Sequence, residues 1–162
     1  MIGTVREVTP EVDADAVLAG AQFIDAFRVE VGATTVNARE ACIRMVLHGP
    51  RWIDALLRLR NILVTPFGLK TSGEGAPAPG GLIGLFPVLS ETPERLVAGF
   101  DDSHLDFRLV VDVAGDDASR RVTSTTLVRT NNLLGRTYLT LIMPFHKLVV
   151  RGMMGRIVEA AR

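Results

Sequence analysis

The chain has 162 residues, of which 48% are hydrophobic and 22% charged, and its 18 basic and 18 acidic residues give a formal net charge of zero. This composition excludes disordered and fibrous proteins, and no apolar run is long enough for a membrane-spanning helix. Cys42 is the single cysteine, which excludes a disulfide framework. The start lacks the features of a signal peptide, so we expect one cytoplasmic domain over residues 1–162.

The neutral total conceals an uneven distribution of charge. Residues 1–117 hold 17 acidic and 10 basic residues, a net charge of −7, whereas residues 118–162 hold eight basic residues and Glu159, a net charge of +7. The basic part could dock an acidic protein or an anionic surface, or it could pack beside the acidic part of the same chain. We favour internal packing, because neighbouring parts of a fold usually carry complementary charges.

The first clear element is a strand over residues 23–31. Phe23, Phe27, Val29 and Val31 alternate with polar residues, as expected for a half-buried strand. Asp25 falls on the apolar face. It could be a partly buried acid of the kind that catalysis uses, or a bulge or edge position that reaches water, and we favour the second interpretation.

Two short helices and a loop follow the strand. Asn37 and Glu40 have the spacing of a capping box at the start of the first helix, and Gly49-Pro50 separates it from a second helix over residues 51–63. Trp52 lies on the apolar face of the second helix. Residues 71–81 hold four glycines and two prolines, which predicts a loop. No strand precedes this loop and no helix follows it, so it does not fit a nucleotide-binding loop.

Four more strands are predicted over residues 82–89, 95–100, 105–113 and 121–131. Short turns join them, which predicts an antiparallel meander. If the last hairpin closes near Asp117, then Asp106 lies opposite Arg129 on the outer face, where the two form an ordinary cross-strand pair.

The C-terminal segment, residues 133–162, has the periodicity of one long amphipathic helix. Its apolar face includes Tyr138, and its basic face includes Lys147, Arg151 and Arg162. Pro144 is expected to kink the helix. His146 projects into the middle of the apolar face, where a histidine packed in the core is the commonest interpretation and a ligand-binding or catalytic residue the alternative.

These elements predict an α+β fold. A curved antiparallel sheet packs its apolar face on the long C-terminal helix, and the two short helices after the first strand close one end. A cavity between sheet and helix is a common consequence of this layering. About five strands are predicted in all.

Three ordered motifs resemble the bacterial domain-of-unknown-function family 2867. They are RNILV and FGLK within residues 60–70, DDSHLDF at residues 101–107, and a third set within residues 125–147 that comprises TT, N, LGR, Y and PFHK. The resemblance covers about residues 23–154. Members of this family stand alone or follow a nucleotide-binding domain similar to short-chain dehydrogenases, and the element order looks like the START and Bet v 1-like helix-grip superfamily. The resemblance implies a hydrophobic ligand between sheet and helix, and it supplies no catalytic residues.

Three functions fit this sequence. The first is the binding of a small hydrophobic molecule in a cavity lined by Tyr138, His146, Trp52 and Phe107. The second is an enzyme, such as a cyclase, dehydratase or hydrolase, in which His146 acts as acid or base with Tyr138 or Asp25 assisting. The third is an interaction module that docks a dehydrogenase-like partner or an anionic surface through the basic helix face.

Other classes of partner find little support in the sequence. One Trp and one Tyr are too few for base stacking, which argues against nucleic acid. His48, His104 and His146 are scattered without ligand-pair spacing, so no metal site is predicted. No cofactor is predicted, and nothing in the sequence indicates an oligomeric state.

Overall fold

A computed structural model describes residues 3–48, 80–84 and 86–160, together with Arg51, Ala55 and Arg58. In this part of the chain the strands are β1 (Arg6–Val8), β2 (Phe23–Gly32), β3 (Leu82–Ile83), β4 (Phe86–Glu91), β5 (Arg95–Asp101), β6 (Leu105–Ala114) and β7 (Arg120–Thr130). The helices are α1 (Ala14–Leu18), α2 (Ala38–Leu47) and a C-terminal helix (Leu133–Ala160).

The described strands form one curved antiparallel sheet in the order β1-β2-β7-β6-β5-β4-β3. Strands β3 to β7 follow each other as the predicted meander. Strand β2 pairs with β7 on the side of β7 that faces away from β6. The sheet and the long helix together give the α+β helix-grip arrangement that the sequence predicts.

The main core lies between the sheet and the C-terminal helix. Alternate residues of the central strands face this helix and α2, and the buried helix residues are Val150, Met154, Ile157 and Val158. We call this surface the helix-facing side of the sheet. On the opposite side α1 covers a smaller apolar cluster around Leu18, Val110 and Leu127.

The strand count differs from the prediction, because seven strands are present in the described residues instead of five. Strand β1 has three residues, too few to show a period. The strand predicted over residues 82–89 is divided into β3 and β4 at Gly84, whose φ of 58° suits a turn. The strand predicted over residues 23–31 is therefore the second strand of the chain. The sequence did not predict α1, which Asp13 caps at its start.

The predicted first helix is confirmed as α2. The Asn37 side chain accepts a hydrogen bond from the backbone N–H of Glu40, which caps the helix at its start. Of the predicted second helix, Arg51, Ala55 and Arg58 are helical and exposed. The rest of that helix, Trp52 included, and residues 71–79 of the predicted loop lie outside the described residues.

The cross-strand pair predicted on the outer face is confirmed. Asp106 lies directly opposite Arg129 in the β6–β7 ladder. The Arg129 guanidinium donates to the Asp106 carboxylate, with Nε 3.0 Å from Oδ2, and Asn131 Nδ2 donates to Oδ1 of the same carboxylate at 3.2 Å. This buried acid is therefore fully engaged in holding the end of the hairpin.

The C-terminal helix begins against the turn between β5 and β6, and we call this contact the helix-start clamp. The Asn131 N–H donates to the carbonyl oxygen of His104 at 2.8 Å, and the Asn131 side chain donates to the carbonyl oxygen of Asp102. Asn132 caps the helix, since its Oδ1 accepts from the N–H of Gly135, while its Nδ2 lies 2.9 Å from His104 Nδ1. Two of the three sequence motifs thus meet in one structural contact.

Gly135 is required by this contact for steric reasons. A Cβ atom at position 135 would lie 2.0 Å from the carbonyl oxygen of His104, and a backbone atom cannot move aside as a side chain can. Gly155, on the same helix, has no heavy atom within 4 Å of its virtual Cβ.

We therefore predict opposite effects for alanine at these two glycines. Gly135→Ala should lower the free energy of unfolding by about 1–3 kcal/mol, because the added methyl group overpacks the clamp. Gly155→Ala should raise it by about 0.5–1 kcal/mol, since alanine favours the helix. Urea unfolding followed by circular dichroism measures both, and equal effects at the two positions would contradict the role of the clamp.

Candidate functional site

Four phenylalanines lie in a row on the helix-facing side, near the helix-start clamp. The ring centroid of Phe107 is 5.5 Å from that of Phe86 and 5.7 Å from that of Phe100. Val128 continues the row from Phe107, and Phe23 lies opposite Val128 on β2. We call Phe23, Phe86, Phe100 and Phe107 the aromatic row. All four side chains remain half-buried, although each of their strands has a neighbouring strand on both sides.

Polar residues on β2 and β7, which we call the polar line, lie next to this row. Asp25 on β2 is paired with Thr126 on β7, and Thr126 is paired with Leu109 on β6. Two residues further along β7, Ser124 lies opposite Phe27, and its hydroxyl is buried without a hydrogen-bond partner in the described part of the chain. Polar groups thus interrupt an otherwise apolar surface at its centre.

His146 of the C-terminal helix lies directly over Asp25. Its Nε2 is 3.2 Å from Asp25 Oδ1 in a hydrogen bond, and 3.0 Å from Oδ2. The carboxylate is 6% exposed and the imidazole 16%. Phe23 meets the imidazole edge-on, with ring centroids 5.6 Å apart. Strand and helix residues 121 positions apart therefore form one buried acid–imidazole pair.

The burial of Asp25 corrects the interpretation favoured from the sequence. Strand β2 lies between β1 and β7, so Asp25 is not at an edge, and the irregularity in its pairing occurs between Glu30 and Gly32. The side chain faces the helix instead of water, because His146 provides the hydrogen-bond partner that a buried carboxylate requires.

Packing along the C-terminal helix is uneven. Residues Val150, Met154, Ile157 and Val158 are buried in the main core, in the same cluster as the buried residues of α2. The half that begins at the clamp is less covered, since the residues it turns toward the sheet are only half-buried; these are Tyr138, Leu139, Ile142, Met143, His146 and Val149. The acid–imidazole pair lies on the border between the two halves.

The outer face of the same helix half is apolar and exposed. Leu141, Phe145 and Leu148 follow each other at helical spacing and are 69%, 53% and 57% exposed. The phenyl ring of Phe145 is therefore a side chain of the same type as Phe107 but outside the sheet–helix interface.

The basic residues of the helix contact this chain's own residues. Lys147 Nζ lies 2.9 and 3.1 Å from the two carboxylate oxygens of Glu7, and the Arg151 guanidinium lies 5.5 Å from the centroid of the Phe27 ring. Arg162 lies outside the described residues. The contact of Lys147 with an acid near the start of the chain fits the internal packing favoured from the charge distribution.

The site residues predicted from the sequence are distributed as follows. Phe107 belongs to the aromatic row, His146 pairs with Asp25, and Tyr138 is half-buried on the helix. Trp52 lies outside the described residues. The sequence did not single out the other three phenylalanines or the hydroxyls of Ser124 and Thr126. The positions of these residues on their own strands were visible, but the pairing of β5 with β6 and of β2 with β7 brings them together.

Two other chemistries find no support in the described part of the chain. Burial raises the pKa of the Cys42 thiol to about 12, so this cysteine is a packed core residue and not a nucleophile at neutral pH. The described residues contain no group of three or more His, Cys, Asp or Glu side chains placed to hold a metal ion. None of the described helices combines the length and apolarity that crossing a membrane would require.

Comparison with known proteins gives a family and several distant structural similarities. A family model described as "Protein of unknown function (DUF2867)" matches residues 17–153. No curated protein matches the chain significantly. A crystal structure of a conserved protein from Geobacillus kaustophilus is similar at 10% identity and a TM-score of 0.43, over 86% of this chain and 95% of that one.

Two further crystal structures show weaker similarity. Ara h 8.0201 is 11% identical with a TM-score of 0.33, over 85% of this chain and 99% of its own. The di-domain ARO/CYC BexL from the BE-7585A biosynthetic pathway is 12% identical with a TM-score of 0.35, over 91% of this chain and 53% of its own. Scores this low transfer no property, so the function has to be inferred from the site itself.

The energetic coupling between Asp25 and His146 can be measured by a double-mutant cycle. Asp25→Ala, His146→Ala and the double variant should show a coupling energy of about 0.5–3 kcal/mol in the free energy of unfolding, because the two groups share one buried hydrogen bond. Urea unfolding gives the three values. Additivity within about 0.3–0.5 kcal/mol would contradict a direct interaction.

Proposed function

The chain belongs to the DUF2867 family of proteins of unknown function, and we propose that it binds a small, mainly apolar molecule. The molecule lies between the aromatic row and the helix half that begins at the clamp. The observation that carries this proposal is the Asp25–His146 pair, a buried polar group at the border of half-buried aromatic side chains. Ligand sites commonly combine an apolar lining with a few placed polar groups.

The aromatic row supplies the apolar part of the binding energy. Phe107 lies at its centre, in ring contact with Phe86 and Phe100, and Tyr138 comes from the helix side. A ligand that buries about 200 Å² of apolar surface gains about 5 kcal/mol before the costs of association. Rigid rings also lose little conformational entropy when they become ordered around a ligand.

The Asp25–His146 pair supplies orientation. A buried ion pair or hydrogen-bonded acid is weak evidence for stability, since apolar residues of similar size serve as well. Its position next to the half-covered part of the helix makes it accessible to a ligand group that enters from the aromatic row. Ser124 and Thr126 add hydroxyls to the same polar line.

The two alternative functions differ in the support they receive. An enzyme with acid–base chemistry would use the same Asp25–His146 pair, so the pair favours it as the second candidate. Docking of a dehydrogenase-like partner or an anionic surface through the basic helix face is weaker, because Lys147 already contacts Glu7 and Arg151 packs on Phe27.

A neutral aromatic probe tests the binding of apolar molecules. We expect 4-nitroanisole to bind saturably to the wild-type protein. Phe107→Ala should weaken its affinity about tenfold or more, because the lost ring contact corresponds to about 1.5–3 kcal/mol. Titration calorimetry measures the affinity.

The control is Phe145→Ala, which removes a phenyl ring from the exposed side of the helix. Its affinity should stay within about twofold of the wild type. Phe107→Leu keeps an apolar side chain and should bind with intermediate affinity, which separates loss of the ring from loss of the fold. Absence of saturable binding to the wild type, or equal losses in the Phe107 and Phe145 variants, would refute the proposed site.

A further inference from the structure

The contact between His146 and Asp25 determines which imidazole nitrogen can accept a hydrogen bond. An ionised carboxylate only accepts, so Nε2 of His146, 3.2 Å from Asp25 Oδ1, is the donor. In a neutral imidazole the other nitrogen then carries the lone pair. Nδ1 of His146 has no hydrogen-bond partner among the described residues.

Among the neighbouring side chains, the imidazole of His146 is the group placed to interact with the negative charge of Asp25. The carboxylate is 6% exposed, and its Oδ2 forms no hydrogen bond within the described part of the chain. Two basic side chains of the neighbouring helix turns are directed elsewhere, Lys147 to Glu7 and Arg151 to the Phe27 ring. A proton arriving at Nδ1 would therefore create an imidazolium in contact with a buried carboxylate, a favourable charge pair in a medium of low polarity.

We propose that the Asp25–His146 pair accepts the proton of a weakly acidic hydroxyl, a phenol or an enol, on the molecule that binds along the aromatic row. This inference rests on the proposed function and adds to it the chemical class of the ligand. The ring of such a ligand packs against Phe107 and its neighbours, and its hydroxyl points to Nδ1 of His146.

The proton transfer is balanced and reversible. The O–H bond of the ligand breaks and leaves its electron pair on oxygen, while an N–H bond forms at Nδ1 of His146. The products are a phenolate or enolate and an imidazolium, whose Nε2–H stays hydrogen-bonded to Asp25. No oxidant, reductant or further reactant takes part. His146 is the residue that contacts the ligand, and Asp25 is a positioning residue that acts through it.

The test compares 4-nitrophenol with its methyl ether 4-nitroanisole, at a pH slightly below the midpoint of free 4-nitrophenol. The ionised and neutral forms of the phenol have different absorption bands, so the spectrum reports the protonation state of the bound probe. With the wild-type protein we expect the phenolate band to increase on binding, and an affinity about tenfold higher than that for 4-nitroanisole.

Two variants and a control locate the effect. Asp25→Asn and His146→Phe should abolish both the phenolate band and the preference for the phenol. A purely structural role would instead weaken both compounds alike. Asp112→Asn, which makes the same change in a carboxylate paired with Arg95 on another face, should behave like the wild type.

The outcomes separate the two proposals. If the wild type binds both compounds equally and leaves the phenol neutral, the proton-acceptor inference is overturned and the binding function stands. Persistence of the phenolate band in Asp25→Asn would overturn the role of the pair in the same way. If neither compound binds saturably, the proposed function itself fails. The wild-type spectrum is decisive even where a variant does not fold.

Discussion

The helix-start clamp is the constraint on which the arrangement of this protein depends. Asn131, Asn132 and Gly135 bind the turn at residues 102–104, and the close approach of Gly135 to the His104 carbonyl fixes both the start and the rotation of the C-terminal helix. His146 is eleven residues beyond Gly135. Eleven residues correspond to about three turns and about 16 Å, so the face that contacts the turn also carries the imidazole toward Asp25.

The two halves of the C-terminal helix have different roles. The half that includes Met154 and Ile157 fills the main core and holds the helix on the sheet. The half next to the clamp is held by the contacts at the start of the helix, and its sheet-facing residues remain half-buried. A helix held at both ends can leave a stretch between them less tightly packed. The Asp25–His146 pair lies at this transition, where polar groups in low-polarity surroundings interact strongly with each other and with a ligand.

Local patterns in the sequence predicted much of this fold. The C-terminal helix, the strands β6 and β7, the cap at Asn37 and the Asp106–Arg129 pair are all confirmed, because each depends on neighbours along the chain or across one short turn. The position of His146 on the apolar face also followed from helical geometry. Strand β1 was missed because three residues show no period, and α1 because its five residues are too short.

The site could be predicted only in part, because it depends on pairing between distant strands. Asp25 was correctly placed on the apolar face, but the sequence alone did not show that a histidine 121 residues later would cover it. The aromatic row takes its members from β2, β4, β5 and β6, and the adjacency of β2 to β7 that completes it is a property of the assembled sheet. Patterns within single strands contain no information on such pairing.

The protonation of the His146 ring nitrogens tests the central claim most directly. In ¹⁵N-labelled protein without ligand, long-range nitrogen–proton correlation spectra distinguish the two neutral forms of an imidazole. We predict that His146 carries its proton on Nε2, held there by Asp25, and that Nδ1 is unprotonated. A proton on Nδ1 with a bare Nε2 would contradict the proposed role of His146, because Nδ1 could then accept no proton from a ligand.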